Sequence, residues 1–278
     1  MRVSGACKLL LPGALLLATL AGCPLRPPAA IPPAAAPPPA AQAAGVAPLQ
    51  GEPYDIDGPA SLLTILVYRG GALASVGHNH VIASHQLSGS IYVPADIRRS
   101  RCEIHVPVAT LSVDEASLRA QQSGADFPPD VSESAKEGTR HNMLGDALLD
   151  AGEFPEIVLH ASLDADAGPA GDGGGAAPGA APASDAAPAS ATGTLLAQVQ
   201  ATVHGRQRSF AVPVRYELSA GTLTVSGATS LRQSELGLTP FSAMLGALQV
   251  QDEMRVAFRI VAHVAQTRRA ALSAIRAR

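Results

Sequence analysis

The side chains best suited to chemistry are histidines. His78 and His80 lie two apart in Gly77-His78-Asn79-His80, and on an extended chain that spacing turns both imidazoles to one side, as two metal ligands require. His85 or His141 is available to complete such a set. Arg140, next to His141, can instead receive a pyrophosphate head group on its guanidinium. Against metal chemistry, no Cys or carboxylate falls at recognised ligand spacing and no HExxH occurs. Three consecutive letters His-Asn-His also lack the separation of an HNH nuclease site. Ser61 and Ser88 have no His/Asp arrangement in sequence that would activate a hydroxyl. His78, His80, Arg140 and His141 are therefore assigned to the rim of a site, as hydrogen-bonding or head-group residues. No catalytic residue, metal or cofactor is assigned, and a His-dependent metal-binding or hydrolytic enzyme is the alternative.

The cysteines point to export. Arg2 and Lys8 precede an apolar run from Leu9 to Leu20, the layout of a signal peptide and too short to span a bilayer comfortably. The run ends in Leu20-Ala21-Gly22-Cys23, which resembles the bacterial lipobox. That resemblance implies diacylglyceryl transfer to Cys23, cleavage before it and acylation of the new N-terminus, giving the two or more chains that stable anchoring needs. The expected location is the bacterial cell envelope, facing the periplasm. Pro24 follows Cys23 in place of the Asp linked to inner-membrane retention in enteric lipoproteins, which favours the outer membrane. With residues 1–23 accounted for as the signal and Cys23 acylated, Cys102 has no internal disulfide partner in an oxidising compartment. It lies on the apolar face of its strand, where a thiol behaves as a small hydrophobe.

Loss of Arg2 and Lys8 leaves 18 basic against 23 acidic residues, a balance of −5. No basic stripe crosses the body of the chain, which excludes a phosphate backbone as partner; no nucleic acid is expected. Aromatics are only 3% and Trp is absent, so any core or pocket must be aliphatic. Residues 24–53 are dominated by Pro and Ala and read as a semi-rigid tether, reaching about 90 Å at ~3.1 Å per residue. Residues 54–265 carry the folded pattern. Within them 164–192 is Gly, Ala, Pro, Ser and Asp, the composition of a disordered insertion at a loop tip. Residues 266–278 form a basic tail.

The positioning elements are strands. Leu195 to His204 and Ser209 to Leu218 each alternate apolar with polar residues, and the short polar run Gly205 to Arg208 between them is a hairpin connection. The same period of two runs through Ser61 to Tyr68, Val76 to Ser84, Gln86 to Val93, Arg101 to Thr110, Glu156 to Leu163, Thr222 to Ser230 and Met254 to Val264. Asp114 to Gln122 and Asp130 to Asp150 break it and predict one or two short helices, the second with Met143, Leu144, Ala147 and Leu148 as its buried stripe. About eight strands with one apolar face each predict a mainly β fold, an eight-stranded antiparallel barrel, with a two-sheet sandwich as the structural alternative. Such a barrel is either filled by its own side chains or holds one slim ligand.

Several stretches resemble the YceI-like lipid/polyisoprenoid-binding family. They are Tyr54-Asp55-Ile56-Asp57 with Ser61, Gly77, Gly89, Glu153-Phe154-Pro155-Glu156-Ile157, Leu195 to Val214 with Val203-His204-Gly205, Leu231-Arg232, Glu235-Leu236-Gly237-Leu238, and Val250 to Ile260. Their order and spacing span roughly residues 54–264. The resemblance implies a lipocalin-like barrel holding a long isoprenoid chain in an apolar tunnel. The lumen candidates are Val106, Val199, Val203, Phe210, Val214, Val256 and Phe258, with Met143, Phe154 and Met254 as adaptable fillers. The expected function is carriage or sequestration of an isoprenoid or similar long-chain lipid without catalysis; a homo-oligomer is possible. A structural or adhesin-like envelope module working through its outer surface is a further alternative.

Overall fold

The computed structural model describes residues 51–122, 126–163 and 188–265. The signal, the insertion over 164–187 and the basic tail, together with residues 24–50 of the tether, lie outside the described residues. The chain divides between Val46 and Ala47, and everything described belongs to the second unit.

The elements in order are β1 (Glu52–Ile56), β2 (Leu62–Gly70), β3 (His80–Ser84), β4 (Ser88–Val93), β5 (Arg101–Pro107) and β6 (Ser112–Val113), then helices α1 (Ala116–Ala120) and α2 (Glu133–Leu144). They continue with β7 (Glu156–Leu163), β8 (Ser190–Val203), β9 (Arg206–Ser219), β10 (Thr222–Arg232), β11 (Ser242–Ala243) and β12 (Leu248–Val264). Hydrogen bonding runs β1-β4-β5-β7-β8-β9-β10-β12 and returns from β12 to β1, an eight-membered closed ring with two short helices. Every pairing in it is antiparallel. Closure leaves no edge in the ring to template aggregation.

One edge of β12 serves two strands. Its Gln249–Arg259 part pairs with β2 and its last residues, Ala262 to Val264, pair with β1. The chain crosses between the two at Asp57 to Ser61. Ser61 stitches that crossing, its hydroxyl donating to the Asp57 carbonyl (2.6 Å) and accepting from the Val261 N–H (3.0 Å). Gly58 permits the close approach there, since a Cβ would sit 2.5 Å from the Leu87 carbonyl oxygen. Glu52 and Pro53, which composition places in the tether, open β1 and pair with Val93 and Tyr92.

The β8–β9 hairpin turns on His204 and Gly205, both at positive φ (48° and 66°), the type I′ geometry whose twist matches the strands. The turn is two residues earlier than the polar run Gly205 to Arg208 predicts, and Arg206 to Arg208 already pair with β8. β8 also begins at Ser190, so the last residues of the expected insertion are strand. α2 is capped by Ser132, whose hydroxyl accepts from Ala135 N–H (3.3 Å), and ends at Gly145, well short of Asp150. Because the helical period stops there, Ala147 is exposed and Leu149 is buried in its place.

The registers sort the loops to two ends. Gln249 pairs with Gly70, Arg232 with Glu253, Val203 with Arg206 and Pro107 with Glu156 at one end. Tyr54 with Val264 and Ser219 with Thr222 mark the other. α2 lies at the first end, held to His80 at the start of β3 and to the loop after β5. Among the described residues no helix is long and apolar enough to cross a membrane.

Candidate functional site

The inward rows of the strands line a cavity of about 270 Å³. Its walls are contributed by β2 to β5, β7 to β10 and β12, with Met143 of α2 and Leu148 and Leu149 beyond it at one end. Aliphatic side chains make up nearly the whole lining. Two of the few polar ones are turned to other work. Ser100 donates its hydroxyl to the Ile97 carbonyl (2.7 Å), and the Gln233 side-chain amide donates to the Gln251 carbonyl (2.8 Å). The wall thus offers a guest dispersion and little hydrogen bonding.

Two titratable groups in the wall report the medium. Burial pushes the Cys102 thiol up to about 11, outweighing the opposing pull of a backbone hydrogen bond with Ala161. Burial likewise raises the Tyr216 phenol above its ordinary value. Both shifts favour the neutral form, as a poorly polarisable interior must.

Of the lumen candidates, Val106, Met143, Val199, Val203, Phe210, Val214, Met254, Val256 and Phe258 line this cavity. Phe154 does not. It precedes β7 by two residues, so the strand alternation does not govern it, and its ring packs edge-on against His204 (4.8 Å between centroids) and beneath Gly205.

The rim candidates separate. β3 begins at His80, so His78 stands before the strand and the alternation that would align the two imidazoles does not apply. His78 is exposed, His80 is buried, and their ring centroids are 6.1 Å apart. His80 Nδ1 donates to Asp114 Oδ2 (2.7 Å), and its Nε2 is 3.1 Å from the Thr139 hydroxyl of α2. Asp114 Oδ1 accepts from the Val81 N–H (2.8 Å) and from Arg119 Nη1 (2.7 Å). Burial drives the Asp114 carboxyl upward, but the His80 and Val81 hydrogen bonds and the charges of His80 and Arg119 outweigh it, holding the group below the usual carboxylate range. Arg119 is itself buried and donates further to the carbonyls of Pro128 (2.6 Å) and Asn79 (2.8 Å), with the Phe127 ring 5.6 Å from its guanidinium carbon. Arg140 spends its guanidinium on the carbonyls of Leu111 and Ala109. His141 is exposed. His80 and Arg140 therefore fasten α2 to the barrel and are not free for a head group.

Sequence reasoning missed Asp114, Arg119 and Thr139. A charged pair inside a short predicted helix was the available signal, but its partner His80 lies 34 residues upstream. His85, the other proposed ligand, meets Glu115 (3.2 Å). Among the described residues no group of three or more His, Cys, Asp and Glu side chains is arranged to hold a metal ion.

No curated protein matches the chain. Among solved structures it is similar to a polyisoprenoid binding domain from Saccharophagus degradans implicated in plant cell wall breakdown, at 13% identity and a TM-score of 0.46, covering 76% of this chain and 98% of that one. It is similar to BcnA of Burkholderia cenocepacia at 15% identity and a TM-score of 0.47, covering 74% and 99%. A YCEI protein of Campylobacter jejuni gives 8% identity and a TM-score of 0.36, covering 64% and 81%. The family model for the YceI-like domain matches residues 54–262, nearly the stretch from β1 to the end of β12 that forms the closed ring. Matched over more than half its length, the chain belongs to the YceI-like domain family.

Proposed function

We propose that this protein holds an isoprenoid or similar long-chain lipid in its cavity and carries or sequesters it without catalysis. The observation that carries this is the cavity of about 270 Å³ with an almost wholly aliphatic wall, in which Ser100 and Gln233 already donate to backbone carbonyls. A hydrocarbon chain needs only that. At about 0.8 kcal/mol per buried methylene, ten carbons gain on the order of 8 kcal/mol before ordering costs. The Saccharophagus domain, described as polyisoprenoid binding, suggests the chemical class of guest. Organic extraction of the purified protein followed by mass spectrometry is expected to yield a lipid in stoichiometric amount; a repeatedly empty barrel overturns the reading.

The setting is the bacterial envelope, with Cys23 acylated as the anchor and the domain facing the periplasm. The Leu20-Ala21-Gly22-Cys23 run supports this. Cys23→Ser is expected to release the protein from washed membranes into the soluble fraction. Unchanged fractionation would remove the anchor from the account.

A hydrolytic reading has one observation in its favour. Thr139, His80 and Asp114 meet in the hydroxyl, imidazole, carboxylate order of an acyl-transfer relay. The same contacts have a complete structural use in fastening α2. An ester-hydrolysing activity abolished by Thr139→Val would favour the enzyme; cargo retention with no such activity favours the carrier.

A further inference from the structure

We infer that the lip formed by the β2–β3 connection and the segment leading into β12 is the face that docks on a lipid bilayer. The inference rests on the lipid-holding reading above and names where the cargo would be exchanged.

Four large apolar side chains are exposed on this lip: Leu73 (39%), Val76 (67%), Met244 (71%) and Leu245 (109%). They belong to one surface. Leu73 N–H donates to the Ala247 carbonyl (2.7 Å), and Gly71 packs so closely on that carbonyl that a Cβ there would sit 2.4 Å from its oxygen. Met244 and Leu245 hold φ values of 51° and 56°, a left-handed backbone that residues with side chains rarely adopt. That conformation turns two greasy side chains outward when a relaxed loop would be free to bury them.

The chemistry of the lip selects a bilayer over a protein partner. From Gly70 to Gly77 and from Gly237 to Leu248 the sequence contains no Asp, Glu, Lys or Arg, in a chain that is 15% charged. A protein interface has a polar rim, whereas hydrocarbon rejects charge. The lip also satisfies much of its own backbone. Val76 N–H donates to Leu73 (3.1 Å), Gly77 N–H to Ala74 (3.1 Å) and Ala247 N–H to Met244 (3.1 Å), which lowers the cost of leaving water.

The placement fits exchange. The lip is at the α2 end of the barrel, and β2 and β12 run from it directly into cavity residues Val67 and Met254. A bilayer seated on Leu73, Val76, Met244 and Leu245 lies against that end of the cavity.

The test uses the full chain with its own cysteines replaced (Cys7→Ser, Cys23→Ser and Cys102→Ala), an environment-sensitive fluorophore on Leu245→Cys, and a control label on Ser219→Cys at the opposite end. Phosphatidylcholine vesicles containing spin-labelled lipid are the probe. Quenching at position 245, absent at 219 and unchanged in high salt, is expected. Equal exposure to water at both positions overturns the docking surface, whatever lipid the purified protein carries. Quenching that disappears in salt also overturns it, because an uncharged lip cannot depend on counterions. Salt-resistant quenching at 245 in a protein whose extracts hold no lipid upholds the docking surface and overturns the carrier reading alone.

Discussion

His80 has both ring nitrogens engaged, one by the Asp114 carboxylate on the barrel side and one by the Thr139 hydroxyl on α2, and Asp114 joins it to Arg119. Asp114 also adopts a positive φ of 53°, so its position is held against backbone preference. Removing its charge leaves Arg119 buried and unpaired, a defect of about 3–5 kcal/mol. Asp114→Asn is therefore expected to lower the denaturant midpoint strongly at pH 7. The sign with pH follows from its depressed folded value. The contribution is present above the unfolded carboxyl value of about 3.9 and is lost as pH falls through the folded one. The gap between wild type and variant should thus shrink below about pH 4; a gap of equal size at pH 3 and pH 7 would show that the charge is not what matters. Beyond the charged pair Asp114 and Arg119 in one predicted helix, the sequence carries no sign of this network. His80 and Arg119 contact residues brought near by β3, β6 and α1 folding together, and single-residue chemistry carries no record of such a meeting.

At the scale of elements the alternation was easily read, because each strand has one face in a core and one in water. The inward rows Cys102, Ile104 and Val106 of β5 and Met254, Val256, Phe258 and Ile260 of β12 lie where period two puts them. Periodicity failed where elements are too short to show it, as in β6 and β11 with two residues each. It fails again at the hairpin, where the polar residues Arg206 to Arg208 read as loop but continue the ladder up to the turn. That turn makes a sharp expectation. Gly205 has φ 66°, and a Cβ would come within 2.6 Å of the Phe154 ring. Gly205→Ala should cost about 1–2 kcal/mol in backbone strain alone, with ring displacement adding to it. In a domain of this size that is a fall of about 3–6 °C in melting midpoint, read by calorimetry. An unchanged midpoint would mean that the turn relaxes freely.

For the whole molecule the decisive property is the space left inside. Eight strands give an interior that side chains can fill or leave partly open, and alternation is blind to the difference. The scarcity of aromatics, with Trp absent, hinted at an aliphatic wall, but only the closed ring reveals a cavity of about 270 Å³. Val199→Trp and Val214→Trp place an indole in that volume from neighbouring strands. Each is expected to abolish the lipid recovered by extraction while lowering stability by less than about 3 kcal/mol, since the added ring has space to occupy. Wild-type lipid content in both variants would mean that the guest resides elsewhere.

Cys102 gives the wall a property of its own. Its thiol faces a chamber of hydrocarbon, with burial keeping the proton on sulfur, and Cys102 is the free cysteine of the described residues. A polar alkylating agent meets both an exclusion barrier and a poor nucleophile there, whereas a small oily electrophile can enter a vacant chamber and is kept out of a tenanted one. The barrel carries its own occupancy gauge, a single sulfur atom whose accessibility reports whether anyone is home.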